Sequence, residues 1–432
     1  MGVASWGLLV LGLMGAPEDD IELSAEEMEL LRELQEESGE GAEEQPSLRI
    51  YGFSDILVGG AFGLGDTAQA VTEFPSQPNN VVFGNLNVYL DANLTHGFRS
   101  LAEVRFHFAP VGSRASPLYD GTANPYSESI SSDPTSFGRD FQYGYIEIER
   151  AYIEYEAAGW FTARIGRFLT PYGIWNVDHG TPVILTTRRP FVIDESLFPE
   201  RQTGLELFGR VVVGPGSLGY HAYLTNGRGP IEAVRDVDDD LSFGGRLYWD
   251  TSEIGRLRIG GSIYWGTFTD ERFTVDADAL LAGETALRPY ERTHTHELSL
   301  AADLRWQIEG WTLQSELVTR QLAYEDDKRP YHTSGTAPDR MEIGVYGLLA
   351  YEIADIATTP FLYFEYLDWG YERYGGLGIV SLAAFGGGFR FRLLPGLVAK
   401  LSAIRSLFPN AFEDTVFEDG YLELVGQVAW AF

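Results

Sequence analysis

Arginine and glutamate recur on segments in which every second residue is apolar: Arg105 between Val104 and Phe106, Arg150 and Glu154 around Ile153, and Arg164 and Arg167 around Ile165. A second group crowds one long polar stretch, where Asp178, Arg188, Arg189, Asp194 and Glu195 occur and Arg201 follows at its exit. Side-chain charge arranged this way suits a narrow wet passage, because charges facing each other across a low-dielectric constriction sort the ions and polar solutes that enter it. Arg188-Arg189, followed by Pro190, is the densest cationic patch and the candidate for the narrowest point, which predicts a mild preference for anions. The competing expectation is that these arginines pair with Asp194, Glu195 and Glu154, leaving a nearly unselective passage.

Other chemistry has little support. The chain contains no G-x-S-x-G elbow, no H-E-x-x-H and no phosphate-binding loop, so no enzyme and no cofactor are expected. The absence of cysteine removes disulfides, thiolate metal sites and thiol nucleophiles. His294 and His296 share one strand face, as a metal pair would, but no third ligand lies nearby in sequence, so a rim histidine pair is expected and no metal. The run Asp236-Asp240 could hold divalent cations with its hard carboxylates, although a solvated charge run is the simpler expectation. The 63 acidic residues against 31 basic ones, a net charge of −32, exclude a nucleic-acid partner, which needs clustered positive charge.

The elements that must position these residues show a period of two. Leu257, Ile259, Gly261, Ile263 and Trp265 alternate with Arg258, Gly260, Ser262 and Tyr264; Leu298, Leu300, Ala302, Leu304 and Trp306 alternate with Ser299, Ala301, Asp303 and Arg305. Such segments are longer than ordinary soluble strands and match the roughly 9–11 residues needed to cross a bilayer. Tight turns such as 157–159, 214–216 and 309–310 alternate with long polar stretches such as 63–80, 110–142 and 169–200. Short and long links in strict alternation are the mark of an up-and-down barrel with turns on one rim and loops on the other. The count is about sixteen strands, an even number, with both termini on the turn rim. A charge at the lipid midplane costs about 2–4 kcal/mol, so the oily faces must meet lipid and the charged faces line water. Gly386-Gly387-Gly388 inside a strand predicts either close approach by the inward loop or a neighbouring protomer, or a kink for curvature.

The two ends add to this. Residues 1–16 form a short apolar run ending in Gly15-Ala16, expected as a secretory signal peptide or else a retained anchor. Residues 17–47 read as an acidic periplasmic segment whose Ser24 to Glu27 capping box opens a short amphipathic helix, a solvated spacer or a contact between protomers. Residues 48–432 are the barrel. At the far end Phe432, Trp430, Val428, Gly426, Leu424 and Leu422 share one face of the last strand. A terminal Phe on such a strand resembles the signal read by the outer-membrane barrel-assembly machinery.

Arg150-Ala-Tyr-Ile-Glu154, a turn, then Arg164-Ile-Gly-Arg-Phe168 with Pro171-Tyr172-Gly173 resembles the fourth and fifth strands of Gram-negative porins of the phosphate-selective O/P type and related trimeric diffusion porins. Thr225-Asn-Gly227 and Gly245-Arg246-Leu247 resemble later strands of that family. The resemblance spans most of 48–432. It implies an all-β transmembrane barrel of about sixteen strands, a homotrimer, an outer-membrane location among lipid and lipopolysaccharide, and a third long loop, Leu169-Glu200, folded inward as a constriction. The implied function is passive diffusion of small hydrophilic solutes. Phosphate is not carried over, because the family's phosphate-binding lysines and arginines find no one-to-one match here. A barrel with hydrolase, adhesion or lipid-binding activity, or a soluble secreted carbohydrate-binding β-protein, are the other classes the pattern admits. The purified mature chain is expected to aggregate without detergent and stay monodisperse with it; a compact, soluble, detergent-free species in size-exclusion chromatography would overturn the lipid-facing assignment.

Overall fold

The computed structural model describes residues 46–63, 80–110, 143–178, 180–228, 240–275, 287–329, 331–332, 335–372, 379–411 and 420–432. The leader expected at 1–16, the acidic helix expected before the barrel and Asp236 to Asp239 of the acidic run lie outside the described residues.

The alternating segments form strands β1 (Ser47–Gly63), β2 (Asn80–Thr95), β3 (Phe98–Pro110), β4 (Tyr143–Ala158), β5 (Phe161–Leu169), β6 (Arg201–Val213), β7 (Gly216–Thr225), β8 (Ser242–Thr251) and β9 (Arg256–Val275). They continue as β10 (Leu287–Ile308), β11 (Trp311–Tyr324), β12 (Tyr331–His332), β13 (Gly335–Thr336), β14 (Arg340–Tyr351), β15 (Thr358–Asp368), β16 (Ser381–Leu394), β17 (Leu397–Leu407) and β18 (Tyr421–Ala431). Sixteen of them pair antiparallel with their neighbours in a closed barrel, β18 returning to β1, while β12 and β13 make a small hairpin within the loop between β11 and β14. The polar stretch 267–291 is strand at both of its ends: Leu287 to Glu291 pair with Val275 to Glu271, carrying β9 and β10 beyond their neighbours.

The faces are inverted relative to a soluble fold. Ile165, Leu247, Leu362 and Leu401 point outward and are 59%, 59%, 65% and 54% exposed, whereas Glu103, Glu149, Glu206 and Glu316 point inward and are at most 1% exposed. A contiguous apolar exterior of this extent needs hydrocarbon around it. Aromatic side chains border the band at both ends, with Trp160, Trp306, Trp311 and Tyr351 near the turn rim and Phe243, Trp265 and Phe385 near the loop rim. Trp311 lies against Tyr351 with ring centroids 4.8 Å apart, and Phe243 against Trp265 at the same separation. Aromatic rings take such places because they span the apolar and the wet side of a bilayer border.

Phe432 and β18 close the circle against β1. Phe432 exchanges both backbone hydrogen bonds with Gly52 of β1, each 2.9 Å, and a Cβ at position 52 would come within 2.8 Å of the Phe432 ring. Inside the same seam Gln427 of β18 donates to Asp55 of β1. The glycine triplet in β16 answers the two expectations differently: a Cβ at Gly386, Gly387 or Gly388 would overlap carbonyls of Ala403, Phe361 or Leu401, so it is the flanking strands β17 and β15 that approach, not the inward loop. Deleting Phe432 removes a residue that pairs on both its N–H and C=O, and the folded yield is expected to fall roughly fivefold or more. Heat-modifiable mobility of refolded wild-type, Phe432-deleted and Trp430→Ala chains measures this, with Trp430→Ala the milder change; equal yields would show that the seam closes without the terminal residue.

Candidate functional site

The lumen is divided by the segment 170–200 between β5 and β6, which leaves the wall and crosses to the opposite side of the barrel. Its entry is tied to its exit by Thr170 N donating to Glu200 O at 2.9 Å and by Asn176 Nδ2 donating to the carbonyls of Thr170 and Glu200 at 2.8 and 3.0 Å. Phe168, Tyr172, Val192, Ile193, Leu197 and Phe198 are buried against inward tyrosines, among them Tyr223, Tyr264, Tyr346 and Tyr363. A single helical turn, Phe191–Asp194, presents Val192 and Ile193 to this core.

Polar contacts fix the segment's height and tilt. Tyr172 Oη lies 2.8 Å from Ser299 Oγ on β10, and burial pushes the Tyr172 phenol above its ordinary pKa. Gly173 N donates to Ser262 Oγ on β9 at 3.2 Å, and Trp175 N donates to Glu316 Oε1 on β11 at 2.7 Å. Tyr346 Oη donates to that same Glu316 oxygen at 2.5 Å. Gly173 has φ +61°, and a Cβ there would overlap the Glu316 carboxylate, so the turn and the carboxylate fit only without a side chain. Further on, Lys400 Nζ of β17 donates to the carbonyls of Thr181 and Thr186 at 2.6 and 3.1 Å, and Arg390 of β16 donates to Pro182 O at 3.0 Å. Ser196, with φ +52°, offers its carbonyl to both Arg228 and Arg320.

The charged residues singled out in the sequence divide into three groups. Arg188 does not pair with Asp194, Glu195 or Glu154. Its guanidinium bridges Glu365 of β15 at 3.1 Å and Glu423 of β18, lies over the Phe191 ring at 4.4 Å, and is only 14% exposed. Burial opposes the charge on Arg188, but the two carboxylates outweigh it and hold the group above its ordinary pKa. Glu365 also accepts from Val192 N at 3.0 Å and Tyr363 Oη at 2.9 Å, so Arg188 is one member of a closed network. Arg189 reaches Glu200 at 2.8 Å and approaches Asp194 to 4.0 Å. The expected free cationic patch is thus an ion-paired anchor. Asp178 is bound by Arg305 of β10 at 2.6 Å, Arg201 reaches Glu149, Glu147 and Glu200, and Asp194 remains largely exposed to the lumen with Glu195 beside it on the segment.

On the wall, Arg150 pairs with Glu103 at 2.6 Å and Arg105 with Glu149 at 3.0 Å. Glu149 and Arg150 both face inward because β4 carries one extra residue against β3 where the register shifts between Glu103 and Val104. Near the turn rim a continuous ladder runs across six strands and into β7: Arg49, Asp91, Arg99, Glu154, Arg164, Glu206 and His221, with successive contacts of 2.6 to 3.3 Å. Arg167 is a correction. Its alternation with Ile165 places it on the outer face, where its Nε donates to the Ile148 carbonyl at 2.9 Å, so it does not line the passage. His294 is buried and bonded to Thr269 at 2.9 Å, with His296 edge-on to it; among the described residues no group of metal-ligating side chains of three or more is present. Glu316, Glu365 and Lys400, which hold the segment, carry no sequence signal beyond being charged on an inward face.

No family model matches this chain. It is 28% identical over 121 residues to an uncharacterized protein of Aquifex aeolicus, covering 24% of this chain and 27% of that one, so the match spans about a quarter of the relative. In three dimensions it is similar to the trimer form of OmpT, an outer membrane protein of Vibrio cholerae, at TM-score 0.52 and 9% identity over 90% of this chain and 100% of the other. It is likewise similar to the outer membrane channel DcaP of Acinetobacter baumannii, at TM-score 0.51 and 11% identity over 91% and 99% of the two chains. At these identities the likeness concerns the fold: a sixteen-stranded closed barrel of the kind found in outer-membrane channels.

Glu316→Ala leaves a buried N–H of Trp175 unmatched, a cost of about 1–3 kcal/mol, and Gly173→Ala forces the turn off the carboxylate. Both are expected to make the Arg188–Arg189 bond of the folded barrel accessible to trypsin, which the wild type resists. Resistance equal to wild type in both variants would show that the segment is held elsewhere.

Proposed function

We propose that the chain forms a water-filled channel in the outer membrane of a Gram-negative bacterium and lets small hydrophilic solutes diffuse through it, with no catalytic step. What carries this reading is one observation: a barrel with an apolar exterior has a charged interior crossed by a segment that narrows the lumen without leaving it. An interior lined by Arg–carboxylate pairs offers a polar path at low cost to a hydrated solute, and the paired charges keep its field weak.

The reading extends to assembly. The aromatic face of the closing strand, Trp430 and Phe432, supports recognition by the barrel-assembly machinery, the apolar exterior supports contact with lipid and lipopolysaccharide, and the likeness to a barrel solved as a trimer supports a homotrimer. Phosphate selectivity has no support in the side chains, because Arg188 and Arg189 are engaged by carboxylates. An anion preference, if expressed, belongs to the wall arginines on the turn side of the crossing segment.

Planar-bilayer recording tests both levels. Stepwise conductance in KCl is expected, and its absence from correctly folded protein would end the channel assignment. In a KCl gradient the Arg188→Ala/Arg189→Ala variant releases Glu365, Glu423 and Glu200, so its reversal potential is expected to move toward cations by several millivolts. A reversal potential identical to wild type would remove the constriction from selectivity altogether.

A further inference from the structure

We propose that the chamber between β10–β16 and the crossing segment is a binding subsite for short-chain monocarboxylates; this rests on the channel reading only for the route by which the ligand arrives. The chamber is a cavity of about 250 Å³, room for a ligand of a few heavy atoms.

Arg390 of β16 lines this chamber and differs from Arg105, Arg150, Arg164 and Arg246, which are held in ion pairs. Among the described residues no carboxylate lies within 4.0 Å of its guanidinium, whose one hydrogen bond runs from Nη2 to Pro182 O at 3.0 Å. The two acids that line the same chamber are taken by other arginines, Asp178 by Arg305 at 2.6 Å and Glu352 by Arg392 at 2.5 Å, so the Arg390 charge is left over. Lys400, opposite Arg390 on β17, directs its N–H groups at the carbonyls of Thr181 and Thr186 and also has no described carboxylate within 4.0 Å; Asp55, beyond it, is engaged by Gln427 and by Asn85 N. On the other side β15 sets Thr359 directly opposite Arg390 in the register, and the Thr359 hydroxyl, which also lines the chamber, has no hydrogen-bond partner among the described residues. A hydroxyl and a guanidinium edge on adjacent strands make a two-donor cradle that matches the two oxygens of a carboxylate.

The rest of the lining decides what the carboxylate carries. The hydrogen bond to Pro182 O sets Arg390 beside the run Val183-Ile184-Leu185 of the crossing segment, where Val183 is 48% exposed, and Leu348 of β14 adds to the same apolar side. A hydrocarbon tail covers these side chains, whereas chloride and inorganic phosphate gain nothing from them. One negative charge is favoured over two, because only one positive charge is left over and the Asp178 and Glu352 carboxylates repel a second.

The test uses butyrate, acetate and inorganic phosphate with the full-length barrel. In single-channel recordings at constant ionic strength, the butyrate concentration that halves the KCl current is expected to be about tenfold below that of acetate, roughly threefold to fourfold for each added methylene, and below that of phosphate. Arg390→Gln is expected to raise the butyrate value about fivefold or more, Thr359→Val about threefold, and Val183→Asn to bring butyrate level with acetate. Thr359→Val deletes only a wall hydroxyl, and trypsin resistance of the Arg188–Arg189 bond checks that the crossing segment stays in place in the other two variants. Saturation-transfer NMR on the butyrate methyl protons, with the barrel in deuterated detergent, reads binding without conductance. Transfer in the wild type that Arg390→Gln removes supports the subsite even where no current flows, which separates it from the channel assignment. Equal half-block by butyrate and acetate, tighter action of phosphate than of butyrate, a butyrate value that neither Arg390→Gln nor Thr359→Val changes, or no transfer in the wild type would overturn it.

Discussion

The structure depends on one constraint: in hydrocarbon no backbone N–H or C=O can be left without a partner. A sheet meets that condition only by closing on itself, which is why β18 must find β1 and why Phe432 pairs with Gly52 on both its N–H and its C=O. Once the circle is closed, side chains alternate between two solvents, and the polar set has nowhere to go but inward. Everything distinctive about this molecule happens in that enclosed polar space.

Charges confined there meet a second constraint. Glu103, Glu149, Glu206, Glu316 and Glu365 are almost completely removed from solvent, and a buried carboxylate is costly unless paired or hydrogen-bonded. Among the described residues Arg105, Arg150, Arg164, Arg246 and Arg320 answer this by reaching carboxylates on other strands, so a chain with a large overall negative charge carries a wall of paired charges. Where a carboxylate meets backbone instead, as Glu316 does at Trp175, it serves as a peg for the crossing segment. Pairing and positioning are therefore the same interactions seen from the wall and from the segment.

The crossing segment gives the lumen its asymmetry. It brings an apolar core, Tyr172 through Phe198, against inward Leu101, Val318, Leu348 and Ile404 in a wall otherwise rich in charge, and it leaves apolar surface facing the arginines of β4–β9. Inward tyrosines make this possible, because each offers a ring to the segment and a hydroxyl to the polar network, as Tyr346 and Tyr363 do toward Glu316 and Glu365.

What the amino-acid order determined alone is whatever depends on local repetition. Period-two alternation, the alternation of short and long links, and the terminal aromatic face each follow from neighbours a few residues apart, and they specify the strand number, the faces, the rim on which the termini lie and the inward-facing register of Arg105, Arg150, Arg164 and Glu154. Arg167 obeys the same rule: it shares the parity of outward Ile165, and one step along a strand exchanges lumen for lipid face. Tertiary structure decided which charges meet. Arg188 and Glu423 are separated by most of the barrel in sequence, and Glu316 meets Gly173 only because the segment crosses the lumen to β11. A pairing of that kind depends on the closed circumference and on the path of one irregular segment, neither of which has a period for a sequence to display.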